Sequence, residues 1–334
     1  MTRPNRNNTI DLCKFVGAIF VICAHTYFLC DVVGKTWYLL ANAIYRLALP
    51  FFALTTGYYT SILLDTGARS KRQVMSKQWL RVLKVYAVWT VLYFVYTCLR
   101  TPGSSPIDLL GGYMNDTLVY GAHYHLWYIL ALLVALPVFA VSWSQKRWKI
   151  LAVVAVGCYA LHSWINIYSK LFACFVPDVV AQVYDNYTGL INGILVIFPL
   201  LVMGGVLRMV KVSVKNRYMW LLFAILLMLT ALEGYWLMLN GVKSSGFTIS
   251  RLMVSLCLFL CLIKKGNTLA GSSLVPLLSA SSLVIYYVHP MIVESLQDHL
   301  HSSVSLFFVS AVISVAVSMG WLALKRYLAA HKTK

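Results

Sequence analysis

Long runs of apolar residues, separated by short polar segments, dominate the pattern along this chain. A helix needs about 20 mostly apolar residues to cross a hydrocarbon core of about 30 Å, and in lipid it satisfies its own backbone hydrogen bonds. The pattern therefore predicts an all-α, polytopic membrane bundle with ten transmembrane helices. We expect them near residues 10–30, 40–63, 78–99, 124–143, 149–165, 190–209, 218–239, 247–263, 274–294 and 303–324.

Basic residues are concentrated in every second polar connection, and this alternation predicts the orientation of the helices. One set of connections, which includes both termini, carries 19 of the 28 Lys and Arg residues, whereas the other set carries four and most of the acidic residues. Lys and Arg concentrate in the cytoplasmic loops of membrane proteins. The pattern therefore favours ten helices with both termini in the cytoplasm.

Composition excludes a soluble protein. Of the 334 residues, 60% are hydrophobic and 11% are charged, whereas soluble domains contain about 25% charged residues. The net charge of +18 does not indicate a nucleic-acid partner, because the basic residues are scattered between apolar runs.

A cleavable signal peptide is not expected, because Asp11 and Lys14 lie in the first apolar run. No linker divides the chain, so we predict a single domain over residues 1–334.

Ionisable side chains within the predicted helices are candidates for function, because a charge inside a bilayer is costly. Six predicted helices contribute such residues at one level, the extracytoplasmic third of the membrane: His25, Arg46, His125, Glu233, Arg251, His289 and Glu294. We interpret them as the lining of a shared polar cavity. Taken singly, each could instead join two helices by a hydrogen bond or lie near the headgroups at a helix end.

Asp11 and Lys14 lie at the opposite end of the first predicted helix. Lys14 precedes His25 by eleven residues, close to three turns, so both should lie on nearly one face and about 16 Å apart. This helix could line a passage from a cytoplasmic entrance to the outer cavity. Asp11 could equally be a carboxylate that is favoured by the dipole at the start of a helix.

Four sequence strings resemble the acyltransferase 3 family of integral membrane acyltransferases. In chain order they are RNNTIDLCK (6–14) with His25, RLALPFF (46–52) with TGYY (56–59), HLWY (125–128) and LSASSLVIYYVHP (278–290). Within that family, the chain resembles the members that O-acetylate surface polysaccharides and the membrane domain of vancomycin-resistance serine racemases. We expect no racemase domain, because the chain ends ten residues after the last predicted helix.

The resemblance implies transfer of an acyl group, expected to be acetyl, from cytoplasmic acyl-CoA to an acceptor outside, such as a cell-surface glycan. The protein would be a multi-pass protein of a bacterial plasma membrane. His25 would act as general base or carry the acyl group. Arg46 would stabilise the oxyanion or hold the donor, and Lys14 would line the donor passage.

The remaining binding residues are also expectations. Substrate contacts are expected from Glu233, His125, Tyr128, His289, Arg251 and Asp11. The CoA phosphates would meet Arg69, Arg72 and Arg81, although these could simply belong to the basic cytoplasmic face. The outer connections 100–123 and 166–189 are the best placed to meet the acceptor. No metal site is expected, because the two His-x-His pairs offer too few ligands.

Two other functions stay open at the level of sequence. A transporter for a small polar solute such as serine would also need a charged cavity that is reached from the cytoplasm. A membrane partner without catalytic activity could retain the same fold, although it would have no need to keep Lys14, His25, Arg46 and His289 together.

Overall fold

The structure, a computed structural model, describes residues 7–67, 70–173, 175–242 and 246–331, and these ranges contain no β-strand. Its helices, in chain order, are α1 (Asn8–His25), α2 (Lys35–Tyr45), α3 (Ala48–Asp65), α4 (Lys71–Arg100), α5 (Pro106–Val119), α6 (Trp127–Ser142), α7 (Trp148–Ser163), α8 (Ser169–Leu171), α9 (Asp178–Asn186), α10 (Thr188–Asn192), α11 (Phe198–Met209), α12 (Asn216–Leu239), α13 (Ile249–Lys265), α14 (Leu274–Leu296) and α15 (Ser303–His331). Two π-helical turns, Trp164–Tyr168 and Gly193–Ile197, continue α7 into α8 and α10 into α11.

Eight helical segments of the described ranges are long and apolar enough to cross a membrane. They are Asn8–His25, Lys35–Asp65, Lys71–Arg100, Gln145–Leu171, Thr188–Met209, Asn216–Leu239, Leu274–Leu296 and Ser303–His331. The other two predicted helices coincide with shorter ones, α6 with 16 residues and α13 with 17. The prediction of an all-α membrane bundle is confirmed. The count of ten and the cytoplasmic termini stay predictions.

The chain forms two compact units. Unit 1 comprises Met1–Phe52, Ser213–Trp236 and Ser250–Lys334, and unit 2 comprises Ala53–Val212 and Leu237–Ile249. The single domain over residues 1–334 stays a prediction.

Unit 1 is built around α14, which packs against both α1 and α15, and these two helices also contact each other. Its core contains Ile22, Tyr45, Ile285 and Phe307, all less than a tenth exposed. Helix α1 begins where it does because the side chain of Asn7 accepts hydrogen bonds from the backbone N–H groups of the first turn. These contacts fix the start of the helix that carries three of the predicted site residues.

Unit 2 is built around α6, which is apolar and buried along most of its length. Helix α6 packs against α4, α10 and α11, while α7 packs against α11. Helix α4 begins at a capping box, in which Ser70 and Gln73 exchange side-chain and backbone hydrogen bonds. It therefore starts seven residues before the apolar run that predicted it, and the polar connection 65–77 is partly helical.

Helix α1 ends five residues before the end of the first predicted helix, which is expected over residues 10–30. The apolar run continues to residue 30, but α1 ends at His25, and Tyr27 and Leu29 follow with φ angles of 49° and 73°. Such left-handed conformations turn the chain away from the helix axis. His25 is therefore the last residue of α1, although the apolar run extends beyond it.

Candidate active site

Asp11 and Lys14 form an ion pair in the first turns of α1. The Lys14 Nζ lies 2.8 Å from the Asp11 Oδ1, and the hydroxyl of Ser279 on α14 donates to the same oxygen at 3.1 Å. Asp11 is buried, whereas the Lys14 side chain keeps 26% of its exposure. The carboxylate therefore holds the lysine in place, and the ammonium group remains accessible.

His25 and His289 meet at the other end of α1. Their ring centroids are 5.2 Å apart, with an angle of 35° between the planes. His289 is fully buried, and its Nδ1 lies 3.0 Å from the carbonyl oxygen of Ile285. A carbonyl only accepts, so Nδ1 carries a proton and Nε2 of the neutral ring is an acceptor. His25 is only half-buried, so it is the member of the pair that a substrate can reach.

Arg46 lies at the break between α2 and α3, and Pro50 explains the break. A proline ring clashes with the carbonyl four residues earlier and cannot donate a hydrogen bond to it. For Pro50 that carbonyl belongs to Arg46, and the two residues between Tyr45 and Ala48 form a turn. The Nε atom of Arg46 is buried and has no hydrogen-bond partner within the described residues. The residue as a whole is only partly buried, and its permanent charge allows the guanidinium to bind an anionic or carbonyl oxygen.

Glu233 and Arg251 belong to a third part of unit 1, on α12 and α13. Ser250 donates a short hydrogen bond from its hydroxyl to Glu233 Oε2. The next residue, Arg251, is 6% exposed, and its carbonyl accepts from Ser255. The structure thus connects Glu233 to α13, a contact typical of a residue that joins two helices.

Two predicted site residues, His125 and Tyr128, lie in unit 2. His125 is buried, and its Nδ1 lies 3.3 Å from the Nδ1 of His123. The ring of Tyr93 stacks on His123 at 4.3 Å and lies 5.0 Å from His125. Tyr128 shares a side-chain hydrogen bond with Thr56, so two of the sequence strings meet within this unit.

Of the three residues expected to bind CoA phosphates, the structure describes Arg72 and Arg81. Arg72 and Arg81 are exposed on the first half of α4, and Arg69 lies outside the described residues. The neighbouring Lys71 is engaged, because its Nζ donates to the carbonyl oxygen of Trp143 at 2.5 Å. Exposed cations on one helix can attract a polyphosphate.

Sequence reasoning missed Ser279 and His162. Ser279 lies within one of the recognised strings, but its bond to Asp11 joins residues 268 positions apart, which no local pattern predicts. His162 belongs to a buried polar cluster of unit 2 at the end of α7. His162 is an ionisable residue within an apolar predicted helix, and this is the same signal that identified His25 as a candidate.

The chain matches known proteins over almost its whole length. A family model described as an acyltransferase domain of the acyltransferase 3 type matches residues 7–323. An amino-acid racemase of Enterococcus faecalis is 23% identical over 99% of this chain. A serine/alanine racemase of Enterococcus gallinarum is 27% identical over 48% of it.

The chain spans 48% of the length of the first of these relatives and 24% of the second. No solved structure matches the chain significantly. Because the family model covers far more than half of the residues, and eight helical segments of the described ranges can cross a membrane, this chain belongs to the acyltransferase 3 family of multi-pass membrane acyltransferases.

Proposed function

We propose that the protein transfers an acetyl group from cytoplasmic acetyl-CoA to a hydroxyl group of an acceptor outside the membrane, such as a cell-surface glycan. The observation that carries this proposal is the pair of His25 and His289 at the end of α1. A half-buried imidazole backed by a second imidazole in a fixed tautomer is equipped to move a proton at a reacting hydroxyl.

His25 would remove the proton of the acceptor hydroxyl as its oxygen attacks the thioester carbonyl. The C–O bond forms, the C–S bond breaks, and the proton passes to the departing CoA thiolate. Alternatively a ring nitrogen of His25 would attack the thioester carbonyl and release CoA as the C–S bond breaks. The acceptor oxygen would then attack the acyl-imidazole, the N–C bond would break, and the hydroxyl proton would pass to the departing imidazole. In both routes the hydrogen bond from His289 to the Ile285 carbonyl oxygen fixes the His289 ring, and this ring packs against the ring of His25.

Arg46 would bind the developing oxyanion. Its side chain is partly exposed, and the permanent charge of a guanidinium gives a donor whose interaction strengthens as the carbonyl oxygen becomes negative. Because Pro50 interrupts the helix at this residue, the side chain extends from a turn rather than from a regular helix face.

The donor would approach from the cytoplasmic end of α1. Lys14, oriented by Asp11 and Ser279, would line that passage, and Arg69, Arg72 and Arg81 would meet the phosphates of CoA. Glu233, Arg251, His125 and Tyr128 would contact the acceptor. This arrangement requires both termini in the cytoplasm.

A second candidate is transport of a small polar solute such as serine. It is favoured by one observation, the similarity to two proteins named as racemases of amino acids or of serine and alanine. A transporter would bind its solute without acyl-CoA, and it would keep moving that solute when the chemistry at His25 is removed.

Purified protein in liposomes separates the two candidates. We expect the wild type to release CoA from acetyl-CoA, and His25→Ala to lower the rate about 100-fold or more, as for loss of a general base. His301→Ala is the matched control, because His301 is an exposed histidine of the connection between α14 and α15. The acyl-transfer proposal fails if acetyl-CoA neither binds nor turns over while labelled serine crosses the bilayer.

A further inference from the structure

Helix α5 lies alongside helix α4 in unit 2 and runs in the opposite direction. The hydroxyl of Tyr113 donates to the carbonyl oxygen of Thr90 at 2.7 Å. One turn further along α5, the carbonyl oxygen of Thr117 accepts from the hydroxyl of Tyr86 at 2.5 Å. Residue numbers thus rise along α5 as they fall along α4, and the two helices are antiparallel.

Helix α6 continues the same antiparallel pairing nearer the start of α4. The indole N–H of Trp79 donates to the carbonyl oxygen of Leu133 at 3.0 Å, and Lys71 donates to that of Trp143 at 2.5 Å. Helices α5 and α6 have 14 and 16 residues, and α4 has 30. Because each residue of a helix rises 1.5 Å, α5 and α6 in series match the length of α4, about 45 Å.

These hydrogen bonds place α5 beside the apolar part of α4, which belongs to a segment long and apolar enough to cross a membrane. Thr90 lies near the middle of the apolar run over residues 78–99. The exposed residues of α4 between positions 85 and 99 are all apolar: Ala87, Val88, Val91, Leu92, Val95 and Leu99. Such a surface matches the hydrocarbon core, so α5 lies at membrane depth rather than above the membrane.

Helix α5 has three sides of different character. The side that packs inward carries Leu109, Tyr113 and Thr117. The second side is apolar, and its residues are between 44% and 81% exposed: Ile107, Leu110, Met114 and Leu118. With 3.6 residues per turn, these four positions lie within an arc of about 80°. The third side is polar and exposed: Asp108, Asn115 and Asp116.

The two exposed sides require different surroundings at membrane depth. An apolar stripe beside a lipid-facing helix is matched by lipid acyl chains, and the backbone of α5 is already hydrogen-bonded within the helix. Carboxylates such as Asp108 and Asp116 are costly in lipid, so residues of this kind face water or protein. The sequence of α5 therefore suits a helix between lipid and water.

The segment 120–126 separates α5 from α6, and Gly121 explains the interruption. Gly121 has a φ angle of 110°, and a methyl group there would lie 2.5 Å from the backbone nitrogen of Trp127. The backbone N–H of Gly121 donates to the carbonyl oxygen of Asp116 at 2.7 Å, and that of Ala122 donates to the Tyr86 hydroxyl at 3.1 Å. Irregular backbone is tolerated at membrane depth where protein satisfies it in this way.

The interruption carries His123 and His125. The ring of Tyr93 on α4 stacks on His123 at 4.3 Å and lies 5.0 Å from His125. Tyr93 precedes Arg100, the last residue of α4, by seven residues, or about 10 Å along the helix. Both histidines therefore lie below the level at which α4 ends.

We propose that α5 and α6 are the two halves of one discontinuous membrane span. The apolar side of α5 contacts the acyl chains of the lipid bilayer, and its polar side contacts water that reaches the interruption at residues 120–126. Discontinuous helices in transporters form solute sites at such interruptions. The proposal concerns the path to His123 and His125 and requires no acyl donor, so it stands independently of acyl transfer.

The depth of α5 can be measured in liposomes that contain the full chain. A spin-labelled unnatural amino acid replaces one exposed residue at a time: Ile107, Leu110, Met114 or Leu118. Molecular oxygen concentrates in lipid and a neutral nickel chelate in water, so the ratio of their collision rates with the label reports depth. We expect this ratio to rise from position 107 to position 118, which lies about 16 Å further along the helix. Labels at Leu99 and His299, both exposed, supply the lipid and water references.

Two neighbouring positions test the two exposed sides at one depth. A label at Asn115 should collide with the nickel chelate severalfold more often than a label at Met114, because only the first faces water.

A matched pair of lysine variants tests the same point without a label. Met114→Lys should lower the melting temperature of the protein in liposomes, since its ammonium group would enter lipid. Asn115→Lys should leave the melting temperature unchanged, because its side chain stays in water.

Other arrangements of α5 give different results. A helix flat on the membrane surface gives one depth for all four labels, and a helix in water gives high nickel collision rates at all four positions. Either result would overturn the proposal, as would equal nickel collision rates at positions 114 and 115 or equal melting temperatures for the two lysine variants. Because no acyl-CoA is present, a failed transfer assay does not alter any of these outcomes.

Discussion

At the residue scale, proline positions account for two features of the proposed active site. Pro50 lies four residues after Arg46 and interrupts the helix there, and Pro290 directly follows His289 within α14. A proline within a helix removes one backbone hydrogen bond and loosens the local geometry. The spacing in the sequence strings therefore sets Arg46 at a turn and places His289 directly before a proline within α14.

Asp31 is a further residue whose role follows from its contacts. Its two carboxylate oxygens accept from the backbone N–H and the hydroxyl of Ser303, the first residue of α15. These hydrogen bonds lower the pKa of Asp31, since they favour the charged form. A carboxylate at the start of a helix also interacts favourably with the helix dipole. Asp31 thus anchors the turn after α1 to α15.

We expect Asp31→Asn to lower the melting temperature of the purified protein at pH 7. The pKa of Asp31 is lower in the folded protein than its ordinary value of 3.8, so its stabilisation is present above about pH 4 and disappears as the pH falls through the folded-state pKa. The difference from wild type should therefore shrink towards pH 3. Melting curves at both pH values, with the exposed Asp185→Asn as control, check this; equal melting temperatures at pH 7 would contradict it.

At the element scale, two glycines allow α3 and α11 to approach closely within unit 2. A methyl group on Gly57 would overlap the carbonyl oxygen of Leu201, and one on Gly204 would overlap that of Leu54. Small residues at helix crossings permit such backbone contact in membranes. The glycine of the TGYY string is therefore explained by packing rather than by catalysis.

Gly57→Ala and Gly204→Ala should each destabilise the protein by about 1–3 kcal/mol, as overpacking does. Gly157 is the matched control, because it lies within α7 and a methyl group there would meet no atom within 4 Å. Gly157→Ala should be neutral or stabilising, since alanine favours helix more than glycine. Denaturant unfolding in detergent measures all three variants. Equal stabilities for Gly57→Ala and Gly157→Ala would refute the close approach.

The helices could be predicted where a long apolar run defines them. They could not be predicted where local hydrogen bonds and packing set their ends. The helices α12, α14 and α15 begin within two residues of their predicted starts. Hydropathy could not predict the break at Arg46, because both flanking segments are apolar. Nor could it predict α5 and α9, which lie in connections, or the two π-helical turns, which depend on tertiary packing.

At the scale of the whole molecule, the sequence strings identified the family, and charge placement identified most candidate residues. Asp11, Lys14, His25, Arg46, Glu233, Arg251 and His289 all belong to unit 1. The pairs that the structure adds, Asp11 with Ser279 and His25 with His289, join helices that are distant along the chain. Sequence predicted Asp11 and Lys14 at one end of the first helix and the other five residues at the opposite level, but it could not pair them.

Orientation in the membrane is the whole-molecule property on which the proposed reaction depends, because donor and acceptor are assigned to opposite sides. Cys30 and Thr66 are both exposed, and they lie at opposite ends of the segment that contains α2 and α3. A membrane-impermeant maleimide, located by peptide mass spectrometry, should label Cys30 in intact cells. In Thr66→Cys, the new cysteine should be labelled only after the cells are made permeable.

This outcome follows from the basic residues of the polar connection 65–77, which favour retention in the cytoplasm: Arg69, Lys71, Arg72 and Lys77. Labelling of residue 66 in intact cells, with Cys30 protected, would reverse the orientation. It would then place the ion pair of Asp11 and Lys14 at the outer surface and the histidine pair near the cytoplasm. A cytoplasmic donor would reach His25 without any passage along α1, so Lys14 would lose its proposed role. The same two cysteines therefore test the topology and the assigned path of the acyl donor together.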